Sequence, residues 1–140
     1  DVTAVPLTVQ VNGKEQSAYE EAFLKAFYEE LRKGADTSTS AVNPDGWANA
    51  IRPYLEQGQD VLVLAFSSGL STTYQSAEIA ASDLREQFPQ QKIEVVDSLC
   101  ASLGQGLFVY YACKKCDEGL TLDALTAWCE EKKFNLCHKE

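Results

Sequence analysis

Residues 66–77 read Phe-Ser-Ser-Gly-Leu-Ser-Thr-Thr-Tyr-Gln-Ser-Ala and follow directly on the apolar run Val61-Leu62-Val63-Leu64-Ala65. A strand that ends in hydroxyls and a glycine, with a helix starting a few residues later, is suited to holding a small anion. The first N–H groups of such a helix lack intrahelical acceptors and lie at the positive end of its dipole. Ser67 and Ser68 add hydroxyl donors, and Gly69 lets an acceptor approach the main chain closely. A carboxylate, phosphate or sulfate fits that chemistry. The plainer alternative is that these serines only cap the helix. A cap needs one hydroxyl, however, and here Ser71, Thr72 and Thr73 follow the first two.

Three other groups could carry chemistry. Thr37-Ser38-Thr39-Ser40 is a second hydroxyl run, readable as a ligand loop, a polar connection or a weak edge strand. Asp97-Ser98 ends a second short strand and reads first as a cap for the helix that follows. As a general acid or base Asp97 has no evident partner, because the single histidine, His138, lies almost at the end of the sequence. A hydrolytic or phosphotransferase-like enzyme with Ser67 or Ser68 as nucleophile is the competing reading. No Gly-x-Ser-x-Gly turn surrounds them and no Walker loop occurs. Cys113-Lys-Lys-Cys116, with Cys129 and Cys137, invites a zinc or redox reading. The loose spacing of the second pair favours cysteines as small core residues, so no metal is assigned.

The elements that must position these groups follow from periodicity. Thr3 to Val11 is β-branched and strand-like, turned by Asn12-Gly13. From Ser17 to Lys33, Tyr19, Phe23, Phe27 and Leu31 recur at helical spacing, and Gly34 stops the helix. Those aromatics suit a core or an apolar ligand tunnel equally. Asn43-Pro44 opens a second helix, which Pro53 should kink or split. Asp60–Phe66 and Lys92–Val96 read as buried parallel strands, each followed by a helix. Thr121 caps a last helix, and Phe134–His138 reads as the beginning of another strand. Alternating strands and helices predict an α/β domain of three layers, with a mostly parallel central sheet flanked by helices. Ligands in such sheets bind at the carboxyl ends of strands, where Ser67-Ser68 and Asp97-Ser98 stand.

At 140 residues, with 45% hydrophobic and 24% charged content, the chain reads as one globular domain. A net charge of −9 argues against a nucleic-acid partner. No apolar run approaches a bilayer span and no signal-peptide pattern opens the chain. Five cysteines, an odd number, point to a reducing compartment, the cytoplasm by default. With Asp1 first and no methionine anywhere, the expectation is a piece of a longer protein.

Taken in order, Val5-Pro6-Leu7-Thr8-Val9, Phe27-Tyr28, Thr37-Ser38, the Ser67–Ala77 stretch and Val95-Val96-Asp97-Ser98 resemble the DegV family. These are bacterial fatty-acid-binding proteins of the EDD fold, some of them lipid-presenting subunits of a fatty acid kinase. The resemblance implies two α/β domains enclosing a long acyl chain, with no cofactor and no catalysis in the carrier itself. It implies that Thr37 and Ser68 contact the carboxylate, with Ser38, Ser67 and the Gly69 amide adjacent and Asp97 and Ser98 secondary. It also implies that residues 1–140 are an amino-terminal domain without the family's opening strand and its second, carboxy-terminal domain. Two further departures stand out: Thr39-Ser40-Ala41 replaces the usual Gln-Pro-Ser, and Thr72 replaces a usual glycine.

Overall fold

A computed structural model describes residues 1–16 and 21–136. The chain divides into two compact units, Asp1–Val42 and Asn43–Glu140.

In the first unit, strands β1 (Thr8–Val11) and β2 (Lys14–Gln16) form an antiparallel hairpin. Its turn uses Asn12 at φ 50° and Gly13 at φ 75°, the left-handed pair that a two-residue hairpin requires. Helix α1 (Glu21–Arg32) follows and ends at Gly34, φ 87°. Tyr19 lies outside the described residues, as does the side chain of Phe23. Strand β3 (Thr37–Ser40) then pairs antiparallel with β1, Val9 opposite Thr39 and Val11 opposite Thr37. The sheet order is β2-β1-β3, so the Thr-Ser run is an edge strand rather than a loop. Strand β1 is shorter than its β-branched sequence suggests. Pro6 has no N–H to give to a ladder.

The second unit holds a parallel pair, β4 (Val61–Ala65) and β5 (Ile93–Asp97), in register from Val61↔Ile93 to Ala65↔Asp97. The crossover is helix α3 (Thr73–Gln87), preceded in the chain by α2 (Pro44–Glu56). The Asn43 side chain accepts from the Gly46 N–H at 2.7 Å and caps α2. Pro53 does not split this helix. It lies in the last turn, where buried Ile51 and Leu55 hold the chain on either side. Helices α4 (Ser102–Asp117) and α5 (Leu122–Lys132) complete the unit. A single 3-10 turn, Lys133–Asn135, stands where a strand was expected, and Cys137 and His138 lie outside the described residues.

Side chains alternate across the parallel pair. Val63, Ala65, Ile93 and Val95 share one face, and α3 packs on both strands with α2 against it. Ala77, Ala80 and Ala81 of α3 are fully or nearly fully buried, and their small side chains let helix and strands approach closely. On the other face Val96, with Leu62 and Leu64, packs against Phe108, Ala112, Leu125 and Cys129 of α4 and α5. The result is an α/β unit with helices over both faces of a parallel sheet. The three remaining strands are antiparallel, β1 and β2 because the tight Asn-Gly hairpin between them permits no crossover.

Candidate functional site

The carboxyl ends of β4 and β5 run on into two loops that stay joined. The Ser98 N–H donates to the Ala65 carbonyl at 3.1 Å, and the Ser67 N–H donates to the Cys100 carbonyl at 3.0 Å. Between these two bonds, Asp97 Oδ1 accepts the Ser68 N–H at 3.1 Å and the Leu99 N–H at 3.1 Å. Asp97 therefore does not cap the next helix. Side chains of its length reach two residues onward, whereas α4 starts beyond Ala101, whose side chain makes no capping bond.

The hydroxyls of the first loop divide by partner. Ser67 is buried, its Oγ accepting the Gly69 N–H at 3.3 Å and its carbonyl accepting the N–H groups of Leu70 and Ser71. Ser71 Oγ accepts the Thr73 N–H at 3.2 Å and shares a 2.8 Å hydrogen bond with Thr73 Oγ1, so Ser71 does the capping work at the start of α3. Ser68 is half-buried, and among the described residues its hydroxyl has no hydrogen-bond partner. Thr72 is exposed at φ −79°, a conformation that asks for no glycine. Gly69 also has no positive φ, and a Cβ there would meet only Ser67 Oγ at 3.5 Å. Its amide is turned inward.

In the second loop Ser98 is fully buried; its Oγ accepts the Cys100 N–H at 3.2 Å and donates to the Cys100 carbonyl at 3.3 Å. These consecutive side-chain turns hold Leu99 at φ 54°, a left-handed conformation that is unusual for a branched residue and is met at functional loops. Burial, then the charge of Asp97, pushes the Cys100 thiol upward in pKa. Burial also raises the Tyr74 hydroxyl, with Glu78 and Asp97 adding to it; that hydroxyl donates to Glu78 Oε1 at 3.3 Å. Asp97 thus sets a carboxylate against the Ser68 main chain.

Ser67, Ser68, Gly69, Asp97 and Ser98 come together at these strand ends. Thr37 and Ser38 belong to the other compact unit, where Thr37 is half-buried opposite Val11 and Ser38 is exposed opposite Gln10. Of the cysteines, Cys100 and Cys129 are buried, Cys113 is half-buried and Cys116 exposed, all four as free thiols. Among the described residues no three metal-ligating side chains gather. Two supporting residues were not singled out from sequence. Trp47 donates its indole N–H to the Thr73 carbonyl at 3.1 Å, and Gln105 donates to the Leu64 carbonyl at 3.0 Å. Their partners lie far away along the chain, beyond any local pattern.

The profile described as uncharacterised protein, DegV family, matches residues 1–138. The chain belongs to the DegV family. A DegV domain-containing protein of Clostridium perfringens is 47% identical over 114 residues, 81% of this chain and 39% of the relative. A solved structure, described as fatty acid binding of a DegV family protein from Thermus thermophilus, matches with a TM-score of 0.81 and 35% identity. That match covers 93% of this DegV chain and 45% of the other. The Streptococcus pneumoniae fatty acid kinase B3 protein loaded with linoleic acid shares the fold, with a TM-score of 0.79 at 23% identity over 93% of this chain and 45% of its own. This DegV chain therefore spans less than half the length of these relatives.

Proposed function

We propose that this DegV chain contributes part of a binding site for a long-chain fatty acid. In this reading the Ser68 hydroxyl receives the carboxylate together with Thr37 and Ser38. Ser67 and Gly69 shape the turn that presents Ser68, with Asp97 and Ser98 behind it. One observation carries the reading. Ser68 is a half-buried hydroxyl with no internal partner among the described residues, at the strand tips where α/β sheets take ligands. The fatty-acid binding of the Thermus thermophilus relative supports the choice of ligand. Burying the acyl chain supplies most of the affinity, at ~0.8 kcal/mol per methylene.

We further propose that the protein is a carrier rather than an enzyme. It presents the acid to a fatty acid kinase that supplies the ATP chemistry, and it works without a cofactor. The rest of the site then comes from polypeptide of the kind that its longer relatives possess, so that residues 1–140 act as a single amino-terminal domain. The odd cysteine count and the free described thiols fit a reducing cytoplasm. No helix among the described residues is long and apolar enough to cross a membrane.

Native mass spectrometry of the protein, expressed in bacteria with whatever flanking sequence its gene encodes, tests the proposal. A bound species of fatty-acid mass is expected. Protein that stays empty after incubation with palmitate overturns it.

A further inference from the structure

We infer that Asp97 is a positioning residue for the Ser68 head-group contact, its carboxylate joining the two strand-end loops so that Ser68 turns its hydroxyl, not its amide, outward. The inference rests on the fatty-acid reading above for what Ser68 contacts; the joint itself stands on the geometry. One oxygen, Oδ1, accepts both the Ser68 and the Leu99 N–H at 3.1 Å, although Ser68 and Asp97 are 29 residues apart. With its amide consumed, Ser68 has only its hydroxyl to offer a ligand. The Gly69 amide is likewise consumed, by Ser67 Oγ. Charge-assisted bonds of this kind are about twice as strong as neutral ones. The left-handed Leu99 is the local cost of aiming two successive N–H groups at side chains.

Four variants separate this role from a general structural one. In Asp97→Asn the amide oxygen still accepts both N–H groups. Palmitate affinity should then stay within about threefold of the parent, a conservative rescue. Asp97→Ser should keep the local bond to Leu99, as Ser98 does for Cys100, but is too short to reach Ser68. Asp97→Ala loses both bonds. The last two should fold and bind palmitate roughly tenfold or more weakly, the size of a lost charge-assisted bond. In a Ser68→Ala background, Asp97→Ala should add almost nothing, because it acts through Ser68.

Amide hydrogen exchange supplies a readout independent of ligand. Exchange at Ser68 should quicken in Asp97→Ser and Asp97→Ala but not in Asp97→Asn, and exchange at Leu99 only in Asp97→Ala. Losses that add fully with Ser68→Ala, or Ser68 exchange that is the same in all variants, overturn the inference. An Asp97→Ala variant that does not fold leaves Asp97→Ser to decide. A parent protein that binds no palmitate overturns the fatty-acid reading, and the exchange pattern then judges the Asp97 joint by itself.

Discussion

The indole N–H of Trp47 meets the carbonyl oxygen of Thr73 at 3.1 Å in the buried seam between α2 and α3. It fixes the first turn of the helix that begins just past Ser68. Trp47→Phe keeps a ring in the seam and removes the donor. The loss should be about 1 kcal/mol, typical of one hydrogen bond, plus the cost of a smaller ring. Urea denaturation measures it, and amide exchange should quicken first in the opening turn of α3.

Gly69 and Gly34 should respond differently to alanine. At Gly69 the added carbon meets Ser67 Oγ at 3.5 Å, an ordinary contact, and no left-handed φ is involved. Gly69→Ala should leave the melting temperature nearly unchanged, within ~0.5 kcal/mol of stability. At Gly34, φ is +87°, and Gly34→Ala should cost about 1 kcal/mol although the space is open.

Ser102 is an exposed, non-glycine residue at φ 47° in the first position of α4. Left-handed backbone costs an L-residue ~1–2 kcal/mol, part of which glycine returns through its freer unfolded state. Ser102→Gly should therefore stabilise the protein by about 0.5 kcal/mol. A lower urea midpoint would contradict this.

Burial pushes the Cys129 thiol from 9.0 up to about 11. Above pH 9 the unfolded chain releases this proton while the folded chain keeps it, so the folded state binds more protons and stability falls as pH rises. The loss should begin near pH 9 and be complete near pH 11, and should amount to about 3 kcal/mol at ~1.4 kcal/mol per unit. Cys129→Ala lowers stability at neutral pH but removes this decline, which denaturation at several pH values would reveal. At neutral pH a thiol reagent should modify Cys116 well before Cys100 or Cys129.

Much of the second unit is legible residue by residue. The unbroken apolar run around Val63 and the β-branched run around Val95 read as buried strands, and Asn43 and Thr121 cap the helices they precede. The Asn12-Gly13 turn is equally local. What escapes is decided between distant residues. Thr37–Ser40 has no apolar alternation to favour its edge-strand reading over a loop, and becomes that strand because β1 offers its backbone. Asp97 looks like a cap until Ser68, 29 residues away, takes its oxygen. Which of the three serines keeps a half-buried hydroxyl without a partner among the described residues depends on the path of the turn, and Ser67, Ser68 and Ser71 look alike in sequence. The resemblance to DegV proteins implies Ser68 as a ligand contact, and the proposal above adopts it.

The alanine seam of α3 has a consequence for how this protein can change. Ala77, Ala80 and Ala81 leave no slack against the strands beneath, and closely packed interiors tolerate added methyls poorly. A valine at any of the three would act as a shim, lifting the helix and tilting the serine-bearing tip that it carries. Change is therefore tolerated along the outer ridge of the helix and opposed along its underside, within about two turns of the serine-bearing loop.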